Sequence, residues 1–297
     1  EGLFTNTMMS NRVNLVCTTL LVEAGGAIDV QGKGWSGGYK ASGTGNGNGP
    51  GGGAYMCGAS YGGVGTQGEY SYRLTNAYGS ATAPADPGSG GWGYMSTWGG
   101  HGGGAVRVTA HAVTVNGRIN ADGTSASNSI HAAGGSGGGI YLSCSTLAGT
   151  HGLITANAGD PQSGQSGGGS GGGRIAVHYD PAAQAGLIEQ PSIGFQAKPS
   201  LSGSKKTVGD IGTLYFPDGT LFSPTNLFTG QWVGPGPAAL ALSDWTVSNV
   251  WLRLPGFDVT ITNTLTVAGT NPLLHRLEFT NGAAFACRSE EHTSELQ

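Results

Sequence analysis

Three Gly triplets run straight into strands of alternating apolar residues. They are GGGAVRVTA from Gly102, GGGIYLSCS from Gly137 and GGGRIAVHY from Gly171, spaced 35 and 34 residues apart. A repeat of this length is one supersecondary unit, too small to bury its own apolar face; stacked copies bury it together. The repeat therefore restricts the chain to an architecture of stacked rungs.

A finer alignment adds an N-terminal copy. Val13, Leu15 and Cys17 match Val106, Val108 and Ala110, then Ile140, Leu142 and Cys144, then Ile175, Val177 and Tyr179. Period-two spacing puts each set on one strand face. Leu20, Val113 and Leu147 follow at a constant offset. A Gly-x-Ile step then supplies Ile28, Ile119 and Ile154, with Val30, Ala121 and Ala156 two residues on. The expected fold is all-β: a parallel β-helix, or β-solenoid, with Gly-rich loop excursions, followed by further β structure. Ile175, Val177 and Tyr179 are expected to point inward, and Arg174 and His178 outward.

Composition agrees with a folded chain of this kind. Of 297 residues 58 are Gly, without the every-third-residue period of collagen, and 37% are hydrophobic at a net charge of only −4. Disorder would need lower hydrophobicity and higher net charge. The balance of 13 Lys+Arg against 17 Asp+Glu, in no long runs, argues against a nucleic-acid partner. No apolar run reaches the length of a membrane-spanning helix.

Four regions follow. Residues 1–180 read as a Gly-rich solenoid interrupted by a long aromatic and Gly-rich insertion at 33–104, with shorter excursions at 124–139 and 160–174. Residues 181–207 read as a connector. Residues 208–287 read as more β structure, a continuing solenoid or a sandwich, where Val250, Leu252 and Leu254 share one face, as do Val259, Ile261, Leu265 and Val267. No capped amphipathic helix is expected. The final RSEEHTSELQ, residues 288–297, resembles a translated sequencing adapter and is set aside as artefactual. The chain reads as a fragment of a longer protein.

The run GGSGGGIYLSCSTLAGTHGLITANAG with GGGSGGGRIAVHY resembles a family of large Gly-rich repeat proteins, predicted to be secreted or surface-exposed in environmental bacteria. The matching features are the Gly triplets, Thr146 to Gly149, Ile154 to Gly159, and YGSATAPADPGSGGWG from Tyr78. The resemblance spans roughly residues 13–180. It implies a solenoid of the pectin-lyase-like or adhesin-like kind, located outside the cell or on its surface, and carries no catalytic motif.

Several motif matches are products of composition. GNGPGG from Gly47 lacks the strand before and helix after that a nucleotide fingerprint needs. G-x-S-x-G recurs around Ser136, Ser166 and Ser170, and three copies in a Gly/Ser repeat argue against one nucleophile. Cys17 and Cys144 occupy equivalent, inward positions two rungs apart, about 9.6 Å at the usual strand spacing. That exceeds the ~7 Å limit for bridged Cα atoms, so they read as small buried hydrophobes. The seven His show no metal-ligand spacing. Asp29, Asp122 and Asp160 fall near equivalent coil ends, as turn residues or as an acidic ladder. No catalytic residue, metal or cofactor is expected.

The insertion carries the binding candidates. Trp35, Tyr39, Tyr55, Tyr61, Tyr70, Tyr72, Tyr78, Trp92, Tyr94 and Trp98 are ten aromatics within residues 33–104. Such rings supply contact area and a polar tip for a glycan or protein surface; they are also the only bulk available to pack a Gly-rich lobe. Trp35, Tyr61, Tyr78, Trp92, Tyr94 and Trp98 are the expected contact residues. The expected function is a non-catalytic, secreted or cell-surface structural or adhesive solenoid, with an extracellular polysaccharide or cell-surface protein as partner. The alternative is a carbohydrate-binding or polysaccharide-degrading β-helix.

Overall fold

A computed structural model describes residues 12–68, 75–127, 131–162, 166–223, 226–236, 240–280 and 284–287. Tyr70, Tyr72 and the tail at 288–297 lie outside the described residues. The first rung is β1 (Val13–Val22) and β2 (Ala27–Asp29). The second is β5 (Ala105–Val115) and β6 (Arg118–Asn120). Between them the insertion contributes only the short β3 (Thr44–Gly45) and β4 (Gly93–Tyr94). Next come β7 (Gly139–Ser143), β8 (Thr146–Ala148) and β9 (Thr150–Thr155), then β10 (Arg174–His178) and β11 (Ser192–Gln196). The chain continues through β12 (Thr213–Tyr215) and β13 (Phe228–Val233).

These strands pair in parallel, in the register the repeat demands. Val13 lies beside Val106, Val106 beside Ile140, and Ile140 beside Ile175. Leu20, Val113 and Leu147 form a second ladder. Ile28, Ile119 and Ile154 form a third, extended by Phe195 and Phe228. One face runs β1-β5-β7-β10-β12-β13 and the other β2-β6-β9-β11-β13; β13 belongs to both, so the 13-stranded sheet is nearly closed. This is the architecture of a parallel β-helix. Val108, Leu142, Val177, Ile119 and Ile154 are fully buried inside it. Ile175, Val177 and Tyr179 point inward as expected.

The stretch expected as a connector instead supplies a helix and a strand of the coil. Asp180 caps α1 (Pro181–Ala185), its carboxylate accepting from the amides of Ala182 and Ala183, with Pro181 in the first turn. That Asp-Pro pair was the overlooked helix signal. Buried Gln184 bonds both the amide and the carbonyl of Leu147, at 2.8 and 2.9 Å, satisfying the outer edge of β8. β11 then pairs with β9.

Beyond β13 the main sheet is extended by β15 (Trp251–Pro255) and β17 (Arg276–Thr280), each parallel to its predecessor. Alternating with them along the chain, β14 (Leu240–Ser248), β16 (Asp258–Ala268) and β18 (Ala284–Cys287) form a separate three-stranded parallel sheet. Val250, Leu252, Leu254, Val259 and Ile261 are buried and Leu265 packs against the core. Val267, beside buried Val247, is exposed, because β18 covers only Asp258–Ile261 of β16 and no described strand covers its far end. From β11 onward the interior changes character: Phe195, Phe216, Phe222, Phe228, Trp232 and Phe257 replace the smaller Val and Ile. No helix among the described residues is long and apolar enough to cross a membrane.

The Gly-rich excursions are the largest departure from a loop reading. They run side by side as extended segments, bonded to one another through their backbones. In residues 99–104 the bonding repeats every three residues. Gly99 and Gly102 donate to the carbonyls of Gly38 and Trp35; Gly100 and Gly103 donate to Ala133 and Ser136, all at 2.9–3.0 Å. His101 and Gly104 donate to the Thr124 hydroxyl and the Val30 carbonyl. Three successive directions with an i, i+3 return is the period of a polyproline II helix, whereas a strand alternates between two. Gly88 and Gly91, donating to Gly103 and Gly100, repeat the pattern.

Such close packing requires Gly. A Cβ on Gly103 would stand 1.9 Å from the Ala121 carbonyl oxygen, and one on Gly37 would stand 1.9 Å from that of Gly99. The segments returning into β5, β7, β10 and β12 form one layer, and the segments of the insertion pack on it. An unpaired backbone group would be costly to bury; here neighbouring helices satisfy one another, so the array is a second core built of main chain.

Candidate functional site: the aromatic tip of the glycine array

The six predicted contact residues divide by depth. Trp35, Tyr61 and Trp92 are 6%, 0% and 1% exposed and fill the array from within. Tyr78 is half-buried; its hydroxyl donates to the Pro87 carbonyl and meets the Ser89 hydroxyl at 2.9 Å. Its ring packs on Tyr61 at 4.8 Å, and burial raises the pKa of both phenols. Tyr94 is half-buried, stacked on Trp92 at 5.4 Å with His131 edge-on. Only Trp98 is substantially exposed.

Trp98 is not alone. Its ring stacks on that of Tyr39, with centroids 4.6 Å apart and planes 23° from parallel, and the two are 39% and 44% exposed. Lys40 follows Tyr39, and its carbonyl accepts from the Ser96 amide, locking the 39–43 turn to the 94–98 turn. Ser127 holds the other side, accepting from the Trp98 amide and donating to its carbonyl.

The 94–98 turn and one further turn carry exposed apolar side chains in the same backbone conformation. In Ala54–Cys57 and Tyr94–Thr97 both central residues have positive φ: Tyr55 and Met56, then Met95 and Ser96. That is the type I′ pattern usually filled by Asn-Gly. Bulky residues there are strained, a condition that concentrates at functional surfaces. Tyr55 is 72% exposed and Met95 60%. Bonds tie the 54–57 turn to the segments beside it: Gln67 donates to the Tyr55 carbonyl and Gly168 to Met56, and Gly203 in turn donates to Gly167. All lie at the end of the array remote from the coil.

The exposed apolar side chains at this end that were not among the six expected residues are Tyr39, Tyr55 and Met95. The signal for Tyr55 and Met95 was the Tyr-Met dipeptide, which follows a Gly-rich run at both 55–56 and 94–95; Tyr39 carries no such mark.

Other candidates take structural places. Arg174 leaves the coil wall outward, as expected, but lies beneath the insertion at 6% exposure. It donates to the Tyr78 carbonyl at 2.9 Å and the Thr213 hydroxyl at 3.1 Å. His178 also faces out, wedged between Tyr141 and Tyr215, with Arg107 over the far side of Tyr141. Cys17 does not share the burial expected of it. It is exposed, because β1 is an end strand with no described rung above it. Cys144 is half-buried against the core, and desolvation pushes its thiol up to about 12.

The three carboxyls do not stack. Asp29 is in register with Asn120, and Asp122 ties Arg118 to the Asn157 amide. Among the described residues no group of three or more His, Cys, Asp or Glu is placed to hold a metal. No protein family, curated protein or solved structure matches the chain.

Proposed function

We propose that the chain is a non-catalytic structural or adhesive solenoid, secreted or displayed at a cell surface, of the Gly-rich repeat type its segments resemble. Its partner is an extracellular polysaccharide or a cell-surface protein, met through the tip of the glycine array. The observation that carries this reading is the exposed Tyr39–Trp98 stack with Tyr55 and Met95 beside it. Stalk and tip divide the work: laddered rungs and a hydrogen-bonded array hold the rings rigidly, so little ordering cost falls on binding.

The test is retention of the purified chain on immobilised extracellular polymers and whole cells. Replacing Tyr39 and Trp98 with Ser removes exposed rings and leaves the melting temperature near that of the parent. Retention should fall at least tenfold. Unchanged retention would overturn the tip as the contact surface. Release of cleavage products from the polymer by the intact chain would replace this reading with that of a polysaccharide-degrading β-helix.

A further inference from the structure

The tip has a charge that the rest of the chain does not. The chain carries a net charge of −4 and five lysines in all. Three of those lysines, Lys40, Lys205 and Lys206, sit in the turns at 39–43, 54–57, 94–98 and 202–207, which contain no Asp or Glu. All three lysines are exposed. At the same end stands one exposed carboxylate, Asp160, whose backbone carbonyl accepts from the Ala126 amide beside Ser127, so the lysines outnumber it. Lys40 adjoins the Tyr39–Trp98 stack directly. Lys205 and Lys206 stand on the turn at 202–207, where Ser204 donates to the carbonyl of Gly68, the neighbour of Gln67, whose side chain bonds the Tyr55 carbonyl. Lys205 is itself held at positive φ, its amide bonded to Ser202.

Resting on the reading of the tip as the contact surface, we infer that its ligand is an acidic polysaccharide rather than a neutral one. Two observations favour a glycan over a protein or a lipid surface. The Tyr39 and Trp98 rings lie nearly parallel, so the pair presents flat ring surface of the kind that stacks on the apolar face of a sugar. Exposed hydroxyls of Ser42, Ser96 and Ser127 surround it. The lysines add sign: each is a mobile point charge on a long stem, suited to carboxylate or sulfate groups spaced along a polymer. An exposed contact of this kind is screened by salt within about a Debye length, ~8–10 Å at 0.1–0.15 M.

Two polymers with one backbone separate the terms: carboxymethylcellulose, which is acidic, and hydroxyethylcellulose, which is neutral. The expected result is at least tenfold tighter binding to the acidic polymer at low salt, a preference that shrinks as salt is raised. A variant carrying Lys40→Gln, Lys205→Asn and Lys206→Gln should bind both polymers alike; Asn at 205 keeps a residue that tolerates the left-handed conformation. The Tyr39→Ser/Trp98→Ser variant should lose both. Equal binding of the two polymers by the parent, unaffected by the lysine changes, would overturn the acidic preference and leave the tip reading intact. Binding to neither polymer, with retention on acidic protein or on phosphatidylserine vesicles, would overturn the glycan assignment. Loss of the acidic preference without any effect of the aromatic changes would overturn the tip reading itself.

Discussion

The coil and the glycine array solve the same problem by opposite means. In the coil, Val108, Leu142 and Val177 stack in register and the interior is made of side chains. In the array the interior is made of backbone, and Gly100 and Gly103 reach the carbonyls of Ala133 and Ser136 through threefold bonding. A side-chain core is filled to native density yet tolerates exchanges of similar volume. A main-chain core tolerates no added atom, because a carbonyl cannot rotate aside as a side chain can. The two cores are therefore sensitive to opposite substitutions: the coil to atoms removed, the array to atoms added.

The largest expected effect follows from that contrast. Gly103→Val places Cβ 1.9 Å from the Ala121 oxygen. Overpacking typically costs about 1–3 kcal/mol and sometimes more, and with a backbone atom as the obstacle this variant should reach or exceed the top of that range. Gly186→Ala is its control: the added Cβ meets nothing closer than 3.4 Å and the residue is already helical at φ −77°. Denaturant unfolding should show a large loss for the first and almost none for the second. Equal effects would erase the distinction between the two regions.

Next in size is Leu142→Ala, which opens a cavity in the middle of a ladder and should cost about 2–5 kcal/mol. Deletion at the Gly positions of the array has no counterpart, since they have no side chain to lose; only its enclosed side chains, such as the rings of Trp35, Tyr61 and Trp92, could be truncated there. Arg174→Met probes the seam where the two cores meet. It keeps the aliphatic stem but withdraws the bonds to the Tyr78 carbonyl and Thr213 hydroxyl, leaving buried acceptors unmet at about 1–3 kcal/mol. Limited proteolysis should then cut the insertion before the coil; simultaneous cleavage would mean that the seam carries no separate stability.

The smallest effect is one of pH. Burial raises the pKa of Asp122 in the folded chain above its ordinary 3.8, outweighing its bonds to Asn157 and Arg118. The folded state then holds this proton where the unfolded state has released it, so the Asp122 contribution to stability falls as pH rises through that window. Asp122→Asn removes the titration. Its melting temperature relative to the parent should climb between pH 3.5 and 7; a constant difference would contradict the assigned direction.

These contrasts also show why some features could be read from residue order and others could not. The ladders were legible because period-two alternation survives in Val106/Val108, Ile140/Leu142 and Ile175/Val177, and their offsets recur. Burial at the end of a stack was not: Cys17 occupies the ladder position of Ala110, yet nothing described covers it. The array was hidden for a chemical reason. Gly has no side chain to alternate, so a threefold helix and a flexible excursion spell the same letters. The candidate site inherited that ambiguity. Trp35, Tyr61 and Trp92 look like Trp98 in sequence, and only the stacking of backbone segments decides which rings are enclosed.

Amide hydrogen exchange tests the central claim most directly, because it reads the main-chain core itself. If the glycine array is an ordered core, the amides of Gly91, Gly100 and Gly103 should exchange nearly as slowly as those of Leu142 and Val177. Exchange of those Gly amides at the rate of an unstructured chain, with the coil still protected, would show the excursions to be flexible loops and contradict the account.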